Sequence, residues 1–192
     1  MKLVALTGNI GSGKTFICSV FEHIGIPVFY SDIAAKNLYF DKSILREIEK
    51  VFGKNLIKDN VLDKEALSLI VFNDKEKLKT LEEITHPKVW ESFLYWKEKQ
   101  SSPYVIMESA ILFEKHWNTR FDYVISVRVE EKIAIARAMK RDNSSLKLIE
   151  NRMSQQMNIE EKCKLSNFVI ENNENDMLLS QILEINNRII NS

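Results

Sequence analysis

Residues Leu6 to Phe16 read LTGNIGSGKTF, and no other stretch restricts the possible folds so strongly. Gly8, Gly11 and Gly13 are three of the chain's five glycines, and Lys14 and Thr15 follow them at once. Gly8 to Thr15 satisfies the phosphate-loop pattern G-x-x-x-x-G-K-[ST]. That pattern has meaning only between a strand and a helix, where backbone N–H groups and the helix N-terminus point at one anion. The apolar run Leu3–Leu6 precedes it and helical periodicity over Thr15–Ile24 follows it. A glycine-rich turn that binds nothing is therefore set aside. Lys14 is read as the cation beside the β- and γ-phosphates of a nucleoside triphosphate and Thr15 as the hydroxyl ligand of its Mg²⁺. The N–H groups of Gly11, Ser12, Gly13, Lys14, Thr15 and Phe16 hold the remaining phosphate oxygens.

A strand-loop-helix of this kind belongs in an α/β sheet, and the rest of the chain agrees. Strand-sized apolar runs occur at Leu3–Leu6, Val28–Tyr30, Tyr104–Met107, Tyr123–Val127 and Phe168–Ile170. Strands apolar on both faces that alternate with helical stretches predict a parallel five-stranded sheet flanked by helices. The interval from 31 to 103 is far longer than one crossover and carries helical patterns at Lys64–Phe72 and Lys75–Trp96, which reads as an inserted helical subdomain. A second charged helical pair spans about Glu130 to Lys164, and ENNEND at 171–176 reads as a strand-to-helix turn. These divisions give a core of about 1–30, 103–129 and 165–192, an acceptor subdomain of about 31–102, and a lid of about 130–164.

At 192 residues with 27 basic and 27 acidic side chains, the chain offers no global field for nucleic acid, so any anion site is local. Cys18 and Cys163 are far apart and form neither a C-x-x-C pair nor a zinc spacing; a reducing cytoplasm is the natural compartment. No segment approaches 18 apolar residues and the N-terminal run is too short for a signal peptide, so no membrane association is expected. Nothing in the pattern sets an oligomeric state.

Switch GTPases, mechanical ATPases and small-molecule kinases share the loop. D-x-x-G and N-K-x-D are both absent, which weakens the switch reading, and no apolar strand ends in Asp-Glu as a motor would require. A kinase needs an acceptor pocket, a carboxylate for the acceptor hydroxyl, and arginines. Asp32, after the strand in IPVFYSDIAAK, can be that carboxylate, at the carboxyl edge where α/β sheets gather ligands. Ser31 or Asp32 can equally be an N-cap for a helix over Ile33–Tyr39. Glu108, closing YVIMES, either holds a Mg²⁺-bound water, contacts the acceptor, or is a plain strand-end acid. Arg137 and Arg141 share a helix face that either reaches the phosphates or is solvated. His86 precedes Pro87, which marks a new helix start or a kink; Trp90, Phe93 and Trp96 at helical spacing read as subdomain core.

Taken together, LTGNIGSGKT, GIPVFYSDIAAK, THP, ESAILFE, RDNSS and SNFVIENN resemble, in order and spacing over nearly the whole chain, the dephospho-CoA kinase family. The resemblance implies ATP-dependent phosphorylation of the ribose 3′-hydroxyl of dephospho-CoA, the last step of coenzyme A biosynthesis. It makes Asp32 the candidate base and Arg141 the lid arginine at the ATP phosphates, puts His86 and Lys36 on the substrate side, and sets SNFVIENN beside the adenine. Three departures stand out: Tyr30 for the first acid of D-A-D, Lys36 for arginine, and Glu108 and Ala110 within ESAILFE where the family has D-x-P-L-L-x-E. The alternatives are a nucleoside or nucleoside monophosphate kinase and, from another class, a nucleotide-sensing binding module.

Overall fold

The computed structural model describes residues 1–58, 61–72 and 74–192, and the chain divides into two compact units, Met1–Phe29 with Gln100–Ser192, and Tyr30–Lys99. The first unit is built on strands β1 (Lys2–Gly8), β2 (Val28–Tyr30), β5 (Tyr104–Glu108), β6 (Tyr123–Arg128) and β7 (Phe168–Glu171), in the spatial order β2-β5-β1-β6-β7. β1 pairs in parallel with β5 (Leu6 opposite Glu108) and with β6 (Gly8 opposite Val127), and β6 with β7. Each expected strand is present: β2 is unchanged, β5, β6 and β7 are each longer by one residue, and β1 gains Lys2, Thr7 and Gly8.

The strands are apolar runs because both sheet faces are covered. Val4, Ala5, Leu6, Val105, Ile106, Met107, Ile125, Val127 and Ile170 all lie in the core. Burying a large aliphatic side chain of this kind contributes about 1.5–3 kcal/mol. Helix α1 (Lys14–His23) buries Ile17, Cys18 and Phe21, and α9 (Leu178–Ile190) buries Ile182, Ile185 and Ile189. Three-to-four-residue spacing gives each a single apolar stripe. The chain leaves β1 toward β2 on one side and leaves β6 toward β7 on the other. Where such connections diverge, the carboxyl ends of the strands open a crevice for a ligand.

The stretch from Glu130 to Lys164 is three helices rather than the expected pair: α6 (Glu131–Asp142), α7 (Leu146–Met153) and α8 (Ile159–Lys164). The extra break has a local cause. Asn143 adopts a left-handed conformation that ends α6, and the Asn158 side chain accepts from Glu160 N at 2.8 Å, starting α8 anew.

The second unit holds α2 (Ser31–Leu38), α3 (Lys42–Phe52), α4 (Lys64–Phe72) and α5 (Lys75–Lys97), with an antiparallel ladder between β3 (Ile57–Lys58) and β4 (Val61–Leu62). It has its own core of Ile44, Leu45, Ile48, Leu56, Leu62, Leu67 and Leu81. Asp41 caps α3 through Ser43 N at 2.7 Å, and Asp74 caps α5 through Glu76 N and Lys77 N, both at 3.1 Å. Pro87 starts no new helix: α5 runs through it for 23 residues. Packing overrides the local propensity, since Leu81, Thr85, Val89 and Phe93 bury one continuous stripe across the proline. Phe93 is fully buried, with Trp90 and Trp96 rings 5.3 and 6.2 Å from it.

Candidate active site

The loop Asn9–Gly13 leaves the central strand and delivers the chain into α1. Gly11 and Gly13 have φ of 77° and 88°, in the left-handed region that favours glycine. Space excludes a side chain as firmly as conformation does: a Cβ on Gly11 would sit 2.1 Å from Ala134 O, and one on Gly13 2.2 Å from Asn172 Nδ2. The cradle is thus closed around by α6 and by the turn after β7.

Helix α1 begins with no side-chain cap and no acid in its first turn. Its first N–H groups have no intrahelical acceptor, and the helix dipole adds partial positive charge there. Lys14 stands beside them with its side chain 11% exposed, Nζ 3.3 Å from Asn9 O and 3.9 Å from Glu108 Oε1. Thr15 and Phe16 are exposed. Ser12 is 1% exposed and its Oγ, like Thr7 Oγ1 and Asn9 Oδ1, has no hydrogen-bond partner among the described residues. Buried polar atoms are normally paired, and these three, at the end of β1 and in the loop after it, are free to meet a polar ligand. Uncapped N–H groups, an ammonium and hydroxyls together suit a polyanion.

Glu108 is 6% exposed at the end of β5, paired in register with β1. The Cys18 thiol, on the buried face of α1, is pushed above its ordinary range chiefly by burial and next by Glu108. It is therefore held as an unreactive thiol. With the Thr15 hydroxyl and the Glu108 carboxylate the loop offers hard oxygen donors, which suit Mg²⁺. No group of three or more acidic, histidine or cysteine side chains that could hold a metal occurs among the described residues. A divalent ion at this loop would thus be shared with phosphate oxygens.

The two arginines predicted to share a face are separated in role. Arg137 donates from Nη1 to Asn172 O at 3.0 Å, and Asn172 donates from Nδ2 to Ser12 O at 2.7 Å, so Arg137 is tied to the phosphate loop through one residue. Arg141 is bonded to Asp142, with Nε 2.7 Å and Nη2 3.1 Å from the carboxylate, and Arg152 shares that acid at 2.9 Å. Arg141 holds the Asp142 carboxyl below its ordinary range, and the Arg141 guanidinium is raised in turn.

In the second unit, Asp32 is not an N-cap, and neither is Ser31. The cap residue of α2 is Tyr30, no side chain caps the helix, and Asp32 sits exposed in its first turn. A carboxylate there is favoured by the helix dipole. Lys36 is exposed one turn further along α2, and His86 is half-buried within α5. Sequence reasoning gave no role to Asn9, Gln156, Glu114 or Lys162, whose bonds join the loop to the segments after β5 and before α8; Asn9 lay within the loop pattern and Glu114 closed ESAILFE, while nothing marked Gln156 or Lys162.

A parallel sheet in the order β2-β5-β1-β6-β7, with a phosphate loop leaving its central strand for a helix whose N-terminus carries no side-chain cap, defines the P-loop kinase fold. The family model for CoaE, dephospho-CoA kinase, matches residues 2–177. A dephospho-CoA kinase of Listeria innocua is 34% identical over 100% of this chain and 98% of its own. A dephospho-CoA kinase from Campylobacter jejuni superposes with a TM-score of 0.69 at 29% identity, covering 98% of this chain and 97% of that one. TT1252 from Thermus thermophilus superposes at 0.89 and 30% identity, covering 97% and 96%. The chain belongs to the dephospho-CoA kinase family.

Proposed function

We propose that this protein transfers the γ-phosphoryl group of ATP to the ribose 3′-hydroxyl of dephospho-CoA, giving coenzyme A and ADP. The observation that carries the reading is the Lys14–Glu108 pair at an uncapped helix N-terminus, in a chain whose whole length matches the family. The loop N–H groups and Lys14 hold the β- and γ-phosphates. Asp32 accepts the proton of the acceptor hydroxyl as its oxygen attacks phosphorus and the bond to the β-phosphate oxygen breaks. Lys14 then meets the charge that builds on the departing phosphate. Thr15 would hold Mg²⁺ with Glu108 behind it; the ion supplies neutralisation of phosphate charge when bound.

The second unit, with Asp32, Lys36 and His86, supplies the acceptor side. Arg137, tied through Asn172 to the loop, and Arg141 would meet the nucleotide's phosphates, and the SNFVIENN segment would flank its adenine. No described helix is long and apolar enough to cross a membrane. The two cysteines are free thiols, which fits a reducing compartment, and the cytoplasm is the compartment proposed.

The decisive assay incubates the protein with Mg·ATP and, separately, dephospho-CoA, nucleosides and nucleoside monophosphates. Coenzyme A and ADP should form in equal amounts with the first and nothing comparable with the others. Turnover confined to a nucleoside or its monophosphate would replace the acceptor, and ATP binding without turnover would leave a binding module.

Residues 130–164 are read as a lid. Arg141 and Arg152 both pair with Asp142, and exposed pairs of this kind hold weakly enough to be exchanged for phosphate. Amide exchange over α6 and α7 should therefore slow when ATP and a dephospho-CoA analogue are added. Protection confined to residues 9–16 would mark these helices as a static basic face.

A further inference from the structure

Lys162 is among the largest fully buried side chains of the protein, with 0% exposure, although it lies on the six-residue α8 and takes no part in the chemistry above. Its Nζ donates to Ala110 O at 2.8 Å and lies 2.9 Å from Glu114 Oε1. The same Glu114 oxygen accepts from Met157 N at 2.8 Å. From there the connections lead into the phosphate loop: Asn9 Nδ2 donates to Met157 O at 3.2 Å, and Ile10 N donates to Gln156 Oε1 at 2.9 Å. One ammonium therefore joins the segment after β5, the segment before α8, and the first half of the loop.

Stability does not explain this arrangement. Replacing a buried ion pair by apolar side chains of similar volume is often neutral or stabilising. Here the second carboxylate oxygen, Glu114 Oε2, has no partner among the described residues, and a half-satisfied polar network is worse than an apolar one. Burial pulls the Lys162 ammonium below its ordinary range, with Glu114 acting in the opposite sense. What the pair does provide is geometry, since its acceptor and donor directions set both backbone segments.

We propose that Lys162 and Glu114 are positioning residues for the phosphate loop, fixing Met157 and Gln156 so that these hold Asn9 and Ile10 in the form that accepts the nucleotide. The inference rests on the reading of the loop as the ATP site. Binding of Mg·ATP to the parent protein tests that reading by itself, since a parent that does not bind ATP overturns the site rather than its support.

Three variants test the support: Lys162→Met, Lys162→Met with Glu114→Leu, and Gln156→Ala. Calorimetric titration with Mg·ATP, steady-state kinetics in both substrates and thermal melting are read on each. Lys162→Met should melt lower and bind ATP about tenfold or more weakly, the size of one lost bond to a charged group. Its KM for dephospho-CoA should stay within a few-fold. The double variant should regain most of the melting temperature but not the ATP affinity. Gln156→Ala, at a half-buried position, removes the acceptor of Ile10 N and should melt close to the parent while binding ATP more weakly. Parent-like ATP affinity in the double variant would show the pair to be merely structural, and parent-like affinity in Gln156→Ala would break the connection to the loop. If Lys162→Met does not fold, Gln156→Ala decides.

Discussion

Asp32→Asn is expected to leave a folded protein that binds ATP normally and has lost about 10²–10⁴-fold of its phosphoryl transfer to dephospho-CoA. Asparagine keeps the size of the side chain and removes the oxygen that can take a proton. The structural cost should be small, because Asp32 caps nothing: Tyr30 is the cap residue of α2, and Asp32 is an exposed first-turn acid. Losing it removes a favourable charge at a helix N-terminus, which solvent already screens. ATP affinity should hold because the proposed nucleotide site is the loop Gly8–Thr15 and not this residue. Turnover within a few-fold of the parent would reduce Asp32 to a helix-dipole residue and make Glu108→Gln the next variant to measure.

Lys14→Ala should lower kcat by about 10²-fold or more, the scale of one electrostatic stabiliser lost from a transition state. The loss should exceed any weakening of ATP binding, since charge grows on the departing phosphate as the bond breaks. Two features make Lys14 hard to replace. Its side chain is 11% exposed, so water screens it poorly, and Asn9 O at 3.3 Å helps to aim it. Lys14→Arg carries the charge on a planar fork and should recover only part of the rate. Near-parent turnover in a folded Lys14→Ala protein would remove the loop from the chemistry.

A motif works at sequence level where its chemistry is local. Gly8 to Thr15 announced a phosphate cradle because the turn, the helix N-terminus and the cation all lie within eight residues. The five strands were legible because burial on both sheet faces demands unbroken apolar runs. Local signals misled where tertiary packing outweighed them. Pro87 reads as a new helix start or a kink, and the first of these is excluded: α5 continues through it because its buried stripe from Leu81 to Phe93 has a core to fill. Ser31 or Asp32 could equally be read as an N-cap, and the structure removes that alternative, because the strand Val28–Tyr30 runs directly into α2 and moves the cap back to Tyr30.

By itself, then, the sequence determined the sheet, the anion cradle and the family, all written in contiguous residues or in their order along the chain. Only the tertiary structure decided which side chains support that cradle. It separated Arg137, bonded to Asn172, from Arg141, bonded to Asp142, although both lie on one helix. It also brought Lys162 to Ala110 and Glu114 across 52 and 48 residues of chain, by the difference of their numbers. Periodicity reports which residues face inward, whereas a buried charge needs partners supplied by segments distant in sequence, and only folding sets which segments those are.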